Sequence, residues 1–124
     1  MNALFLYPKD GSVFDRELVC RSISDLRPLF SELEMEGGDL SLCKGRFNFE
    51  GESNLVELRQ SLDSIVLGRE GRAALKLAFE IQQVYSDPLN ITNESFSFEL
   101  CVKEFASYEE FEARSLELLN GPDE

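Results

Sequence analysis

Carboxylates are the most abundant groups in this sequence that could do chemistry. The chain of 124 residues holds 24 aspartates and glutamates, 12 lysines and arginines, and no histidine. Without an imidazole, Ser-His-Asp and Cys-His centres and histidine-containing zinc sites are excluded. Carboxylate pairs such as Glu109 and Glu110 resemble an acid–base pair, but with so many acids such pairs are expected on solvated helix faces. We therefore expect no enzyme activity, no catalytic residue, no metal site and no cofactor.

Two stretches have the composition of ligand-binding loops without the spacing. Residues 68–72, Gly-Arg-Glu-Gly-Arg, could offer backbone N–H groups to an anion, but they lack the Lys-Ser/Thr ending of a phosphate loop. Residues 87–94 are rich in oxygen ligands, but Leu89 and Ile91 stand where a calcium loop needs such ligands. We interpret the first stretch as a helix C-cap with a connector and the second as a turn.

The three cysteines, Cys20, Cys43 and Cys101, are odd in number and widely spaced. This pattern predicts neither a disulfide framework nor a thiolate zinc site, so we expect three reduced thiols packed as small apolar groups. The longest apolar run, residues 3–7, is too short to cross a bilayer and lacks the basic lead of a secretory signal. These observations favour a cytoplasmic protein that does not bind membranes.

Negative charge is the strongest compositional signal. The net charge is −12, and residues 86–124 alone hold ten acidic and two basic residues, a net charge of −8. Such a field repels nucleic acid and attracts a basic protein. The helix dipole accounts for acids in the first turn of a helix, but not for the whole excess. Five glutamates are the candidate partner-binding residues: Glu99, Glu104, Glu109, Glu112 and Glu117.

A strand followed by a helix positions these glutamates. Residues 96–102 alternate apolar and polar side chains, the period of a half-buried strand. Ser107-Tyr108-Glu109-Glu110 then forms a capping box, which starts a helix over residues 108–120. Asn120-Gly121-Pro122 ends that helix.

The rest of the chain gives less distinct signals. Residues 3–7 predict a strand, and residues 13–20 fit either a returning strand or the start of a helix. Apolar residues at helical spacing predict helices over residues 25–36 and 54–67, the second with Gly68 as its C-cap. Residues 40–49 alternate on both sides of Lys44-Gly45, as one bulged strand or a tight hairpin. Residues 73–85 fit both a strand and a helical stripe, and we choose the strand because it gives residues 96–102 a neighbour.

Together these elements predict an α+β fold, with an antiparallel sheet of about four to five strands and helices packed on one face. We expect one globular domain spanning residues 1–124. The expected function is that of a small acidic binding protein, monomeric or weakly dimeric, that neutralises a basic partner, as an immunity-type toxin inhibitor does. A secretion chaperone for an effector, or a small histidine-free enzyme, are the alternatives.

Overall fold

The structure, a computed structural model, describes residues 3–26, 31–36, 44–59, 62–69, 71–96 and 98–119. These residues form seven strands, three helices and a short 3-10 turn. In chain order they are β1 (Leu4–Pro8), α1 (Arg16–Ser24), β2 (Ser31–Glu36), β3 (Lys44–Phe49), β4 (Glu52–Leu58), β5 (Ile65–Leu67), α2 (Arg72–Val84), β6 (Leu89–Asn93), β7 (Glu99–Cys101), the 3-10 turn (Val102–Glu104) and α3 (Tyr108–Leu119).

The described strands form one sheet in the order β2-β3-β4-β5-β1-β6-β7. Every neighbouring pair is antiparallel. The predicted α+β class and antiparallel sheet are confirmed, and the sheet has seven strands where about four to five were expected. The first strand lies inside the sheet between β5 and β6, so residues far apart in sequence meet across β1.

Among the described residues, the helices pack on one face of the sheet, and we call the opposite face the open face. In β4, Asn54, Val56 and Leu58 are buried, whereas the residues between them are exposed. Leu4 and Leu6 in β1 are likewise fully buried. Because successive side chains of a strand point to opposite faces, these residues mark the covered face. The apolar residues among them, Leu4, Leu6, Val56 and Leu58, belong to the same hydrophobic core as buried residues of the helices.

Helix α2 lies at the centre of the helical layer and contacts α1, α3, β3 and β4. The predicted strand over residues 73–85 is therefore wrong, and the helical stripe that competed with it is correct. Neighbouring elements bury α2 on most sides, so apolar residues occur on most of its surface. Its sequence therefore fits the alternation of a strand as well as the spacing of a helix. Its buried residues are Ala73, Ala74, Leu75, Leu77, Ala78, Phe79, Ile81 and Gln82.

The side chain of Gln82 organises the connection from α2 to β6. Its Nε2 donates to the carbonyl oxygens of Tyr85 at 3.1 Å and Asp87 at 2.8 Å, and its Oε1 accepts the N–H of Leu89 at 2.7 Å. A buried amide with these three backbone partners fixes a tight turn. The turn predicted over residues 87–94 is found only at the two ends of this range, because strand β6 occupies Leu89–Asn93 between them.

The predicted helix over residues 54–67 is also wrong. Strands β4 and β5 occupy this segment, and Gly68 donates its N–H to the carbonyl of Leu55 at 2.9 Å instead of capping a helix. A two-residue turn precedes β4, in which Glu50 has φ 52° and Gly51 has φ 87°. Positive φ at both positions is the geometry that suits a tight hairpin. Glu50 is an unusual residue at such a position, which hid the hairpin between β3 and β4 in the sequence.

The predicted helix over residues 25–36 is wrong at both of its described ends. Asp25 is the C-cap of α1, which begins after Asp15, whose Oδ1 accepts the N–H of Leu18 at 3.0 Å. Residues 31–36 form β2, which pairs with β3. The sequence Ser-Glu-Leu-Glu-Met-Glu also alternates with period 2, and pairing with β3 satisfies the backbone of a strand there. Of the two alternatives for residues 13–20, the helix start is correct, because α1 begins at Arg16. Residues 27–30 and 40–43 lie outside the described residues.

The predicted strand–helix unit near the end of the chain is largely confirmed. Helix α3 begins at Tyr108 as predicted, and the N–H of Glu110 donates to Ser107 Oγ at 3.3 Å. The strand is shorter than expected, because among the described residues of 96–102 only Glu99–Cys101 pair with β6. Phe96 lies in a turn with φ 54°.

The expectation of three reduced thiols is wrong at one position. Cys20 is disulfide-bonded, whereas Cys101 is a free thiol and Cys43 lies outside the described residues. A disulfide is typical of an oxidising environment, so the thiols do not support a cytoplasmic location. Among the described residues, none of the helices has the length and apolarity to cross a membrane.

Candidate partner-binding surface

Helix α3 carries most of the predicted partner-binding glutamates. Tyr108, Phe111 and Ser115 are its buried residues, and the ring of Phe79 in α2 lies 6.0 Å from the rings of both Tyr108 and Phe111. Since residues three and four apart share one face of a helix, this packing turns the opposite face outward. The exposed residues of α3 are Glu109, Glu110, Ala113, Arg114 and Glu117.

Ion pairs engage three of the five candidate glutamates. Glu104 lies 3.6 Å from Lys9 Nζ, and Glu117 lies 2.7 Å from Arg114 Nη1. Both pairs are exposed and contribute little to stability. Glu112 pairs with Arg72 at the start of α2 and is only 18% exposed. Of these three glutamates, Glu112 is therefore the one whose ion pair contributes to the stability of the fold.

Glu112 belongs to a network that ties α3 to α2. Arg72 also pairs with Glu50 at 3.0 Å, and the hydroxyl of Tyr108 donates to Glu112 Oε2 at 3.2 Å. Burial of the phenol, followed by the charge of Glu112, raises the pKa of Tyr108 well above its usual range. Lys76 lies 4.7 Å from the centre of the Tyr108 ring, a cation–π distance. Replacing Glu112 would thus disturb the fold as well as the surface charge.

The other two candidates remain exposed. Glu99 and Glu109 have no ion pair within the described residues, and the same holds for exposed Asp87 and Glu110. Glu109 lies in the helical layer. Glu99 pairs with Thr92, which pairs with Phe5 on the open face of the sheet. The structure therefore divides the predicted residues between two faces and does not bring all five together.

At the start of α2, one backbone N–H that could bind an anion is already engaged by the chain itself. The N–H of Ala73 donates to Glu52 Oε1 at 2.7 Å, so a carboxylate of the chain already occupies the helix N-terminus. Gly71 has φ 147°, in the region that favours glycine, and a Cβ there would overlap Glu52 Oε2. The helix C-cap predicted for residues 68–72 is wrong, because a strand, β5, precedes this segment, whereas its predicted role as a connector is confirmed, since it leads from β5 to α2.

A second candidate region is the open face of the sheet. One row of paired residues crosses it from β4 to β7, in the order Glu57, Val66, Phe5, Thr92 and Glu99. Two exposed carboxylates thus flank a mostly apolar centre. Neighbouring strands lie about 4.8 Å apart, so the two carboxylate-bearing backbones are about 19 Å apart.

A cleft of about 520 Å³ opens on this face beside Glu99. Its walls include three aromatic residues, Phe5, Tyr7 and Phe96, and three charged residues, Arg59, Asp63 and Glu99. The volume lies within the usual range of ligand sites. Sequence reasoning missed this cleft, since its residues come from separate segments. The exposed Phe96 in a polar turn was the one signal that could have pointed to it.

No group of three or more metal-ligating side chains occurs in the part of the chain that the structure describes. Comparison of the chain with protein-family models, curated proteins and solved structures finds no match.

Proposed function

We propose that this protein binds and neutralises a basic protein, most concretely as an immunity-type inhibitor of a bacterial toxin such as a nuclease. The observation that carries the proposal is the exposed negative charge left after ion pairing. Asp87, Glu99, Glu109 and Glu110 have no cationic partner among the described residues. The net charge of −12 adds a long-range field of the same sign.

The physical logic is electrostatic complementarity. A nuclease attracts phosphate with an electropositive site, so an acidic protein is drawn to the same site and covers it or its approach. Exposed carboxylates at the rim of an interface act mainly on the association rate. The unpaired glutamates in the first turn of α3, Glu109 and Glu110, are placed for such steering.

The proposed place of action is the cytoplasm, where a nuclease would meet its substrates. This location follows from the proposed target, whereas the disulfide at Cys20 is typical of an oxidising environment. In this role the protein carries out no catalytic step and uses no cofactor.

The test begins with capture of a partner by the full chain from extracts of its own cells at low ionic strength. The captured protein should be basic, toxic when expressed alone, and harmless when co-expressed with this chain. The association rate should fall as ionic strength rises, because the screening length is only about 8 Å at 0.15 M. Light scattering of the protein alone and with its partner then gives the stoichiometry.

Two double variants separate a local surface from overall charge. Glu109→Gln with Glu110→Gln should slow association and flatten its salt dependence, whereas Glu17→Gln with Glu57→Gln removes the same charge elsewhere. All four residues are exposed, so folding should be retained, as thermal unfolding would verify. Equal slowing by both variants would reduce the effect to net charge. Capture of a homodimer that holds an unfolded effector would instead identify a secretion chaperone, and the proposal would fail.

A further inference from the structure

We propose that the cleft on the open face of the sheet receives a lysine or arginine side chain of the partner. The inference rests on the proposed function for the class of partner, and it adds the place where one cationic group is recognised. The inference is based on two kinds of residue that line the cleft, aromatic residues and carboxylates. Together these groups form the usual surroundings of a bound organic cation.

The aromatic part of the cleft comes from two segments. Phe5 and Tyr7 project from β1 on the open face, since they alternate with buried Leu4 and Leu6. Phe96 belongs to the turn between β6 and β7 and is 77% exposed. A cation within about 6 Å of an aromatic face is attracted by the ring, and this attraction increases as the cation loses water. The cleft therefore offers rings from more than one direction.

The conformation of Phe96 indicates that its exposure is built into the turn. Its φ of 54° is uncommon for a bulky residue. The turn is held by a hydrogen bond from the Phe96 N–H to the Asn93 carbonyl at 3.0 Å, and by one from Thr92 Oγ1 to the Phe98 carbonyl. Strained backbone that the surroundings enforce is concentrated at functional sites. Here it holds a large apolar ring in water at the edge of the cleft.

The charged lining favours a cation. Glu99 is exposed and has no ion pair within the described residues, so its carboxylate is available to an incoming ammonium or guanidinium group. Asp63, which accepts a hydrogen bond from Ser64 Oγ at 3.2 Å, is a second carboxylate in the lining. Arg59 is the opposing charge there. Among the described lining residues, the exposed Glu99 carboxylate has the same sign as the field of the whole protein.

A second cleft on the molecule provides an internal contrast. It has a volume of about 330 Å³, and its lining includes Arg46 and Arg69. Its described lining residues include no carboxylate and no aromatic ring. If the protein attracted cations by net charge alone, the two clefts would be equivalent. The lining of the first cleft predicts instead that a basic side chain enters that cleft.

The test is a titration of the full chain with two peptides, acetyl-Gly-Gly-Arg-Gly-Gly-amide and the same peptide with citrulline in place of arginine, followed by heteronuclear NMR. Citrulline keeps the shape of arginine but carries no charge. The arginine peptide should shift the amide signals of Phe96 and Glu99 and saturate, and the citrulline peptide should not. A lysine peptide should shift the same signals.

Two variants and one matched control locate the binding. Glu99→Gln and Phe96→Asn should each weaken binding of the arginine peptide about two- to fivefold. Asparagine is chosen because it tolerates a positive φ, so the turn is retained. Glu57→Gln is the control, since Glu57 lies in the same row of paired residues and is exposed, but does not line the cleft.

The outcomes are distinct. Equal weakening by Glu57→Gln would show attraction by bulk charge, and equal binding of the citrulline peptide would show that charge is not recognised. If a peptide with glutamate in place of arginine shifted the same signals, Arg59 would determine the charge preference of the cleft, and the cleft would be an anion site. Each result overturns this inference while leaving capture of a basic partner to decide the proposed function separately. Failure to capture any basic partner would remove the proposed function, and the peptide titration would still decide what the cleft binds.

Discussion

Replacing Gly71 by alanine should cost far more stability than replacing Gly51, although both glycines have positive φ. Gly71 has φ 147° and ψ −178°, a region that is almost exclusive to glycine. Its added Cβ would also overlap the carboxylate of Glu52, which must then leave the N–H of Ala73. Gly51 has φ 87° and nothing within 4 Å of the added Cβ. Only backbone strain is expected there.

The magnitudes follow from these two differences. Backbone strain at Gly71 costs about 1–3 kcal/mol, and loss of the hydrogen bond to the helix N-terminus costs about 1–2 kcal/mol. Gly71→Ala should therefore lower the free energy of unfolding by about 2–5 kcal/mol. Gly51→Ala should lower it by about 1–2 kcal/mol. The gain from a less flexible unfolded chain applies to both variants and cancels in the comparison.

The assay is urea denaturation of both variants, of Glu52→Ala, and of the double variant Gly71→Ala with Glu52→Ala. Once Glu52 is removed, the overlap is gone and Gly71→Ala should cost only its backbone strain. The losses should thus be less than additive. If Gly71→Ala is no worse than Gly51→Ala, or if the losses add within about 0.5 kcal/mol, the contact between Glu52 and the start of α2 is refuted.

Three further predictions concern the core, the phenols and the thiols. Phe98→Ala should lower the free energy of unfolding by about 3–5 kcal/mol because Phe98 is buried. Glu99→Ala, at the exposed neighbouring position, should lower it by about half a kcal/mol or less. The reverse order in urea denaturation would contradict the alternation of buried and exposed residues at the start of β7. The pKa of Tyr108 is raised by burial, so the neutral phenol is favoured in the folded state and stability should fall as pH rises above the unfolded value of about 10. Tyr108→Phe should flatten that fall, and an unchanged pH profile of unfolding would exclude Tyr108 as its source. Alkylation without reductant, read by peptide mass, should label Cys101 and spare Cys20, and labelling of both would refute the disulfide.

Local signals in the sequence were sufficient where an element depends on its own residues. Helix α3 was predicted at its observed start, because Ser107 caps it and the apolar residues Tyr108 and Phe111 recur at helical spacing. Strand β1 was predicted because an apolar run ends in turn residues. The antiparallel α+β class and the excess of negative charge near the end of the chain were also properties of the sequence.

Other elements depended on which neighbours were present. Helix α2 carries apolar residues on most of its surface because α1, α3 and the sheet surround it, so its pattern matched both periods. In β4, Leu55 and Leu58 stand at helical spacing, but Leu55 is 53% exposed and Leu58 is buried. Only pairing with β3 and β5 determines that these residues lie on opposite faces of a strand.

The candidate surface shows the same division. Composition alone identified an acidic protein, but it could not show that Glu112 is paired with Arg72, 40 positions earlier in the chain. Nor could it bring Phe5, Phe96 and Glu99 to one cleft, since they meet only because β1 lies beside β6 and β6 beside β7. Charge and local caps are properties of residue types and short spacings. Pairing across the sheet decides which charges stay free and which rings share a cleft, because long-range contacts depend on the folded chain as a whole.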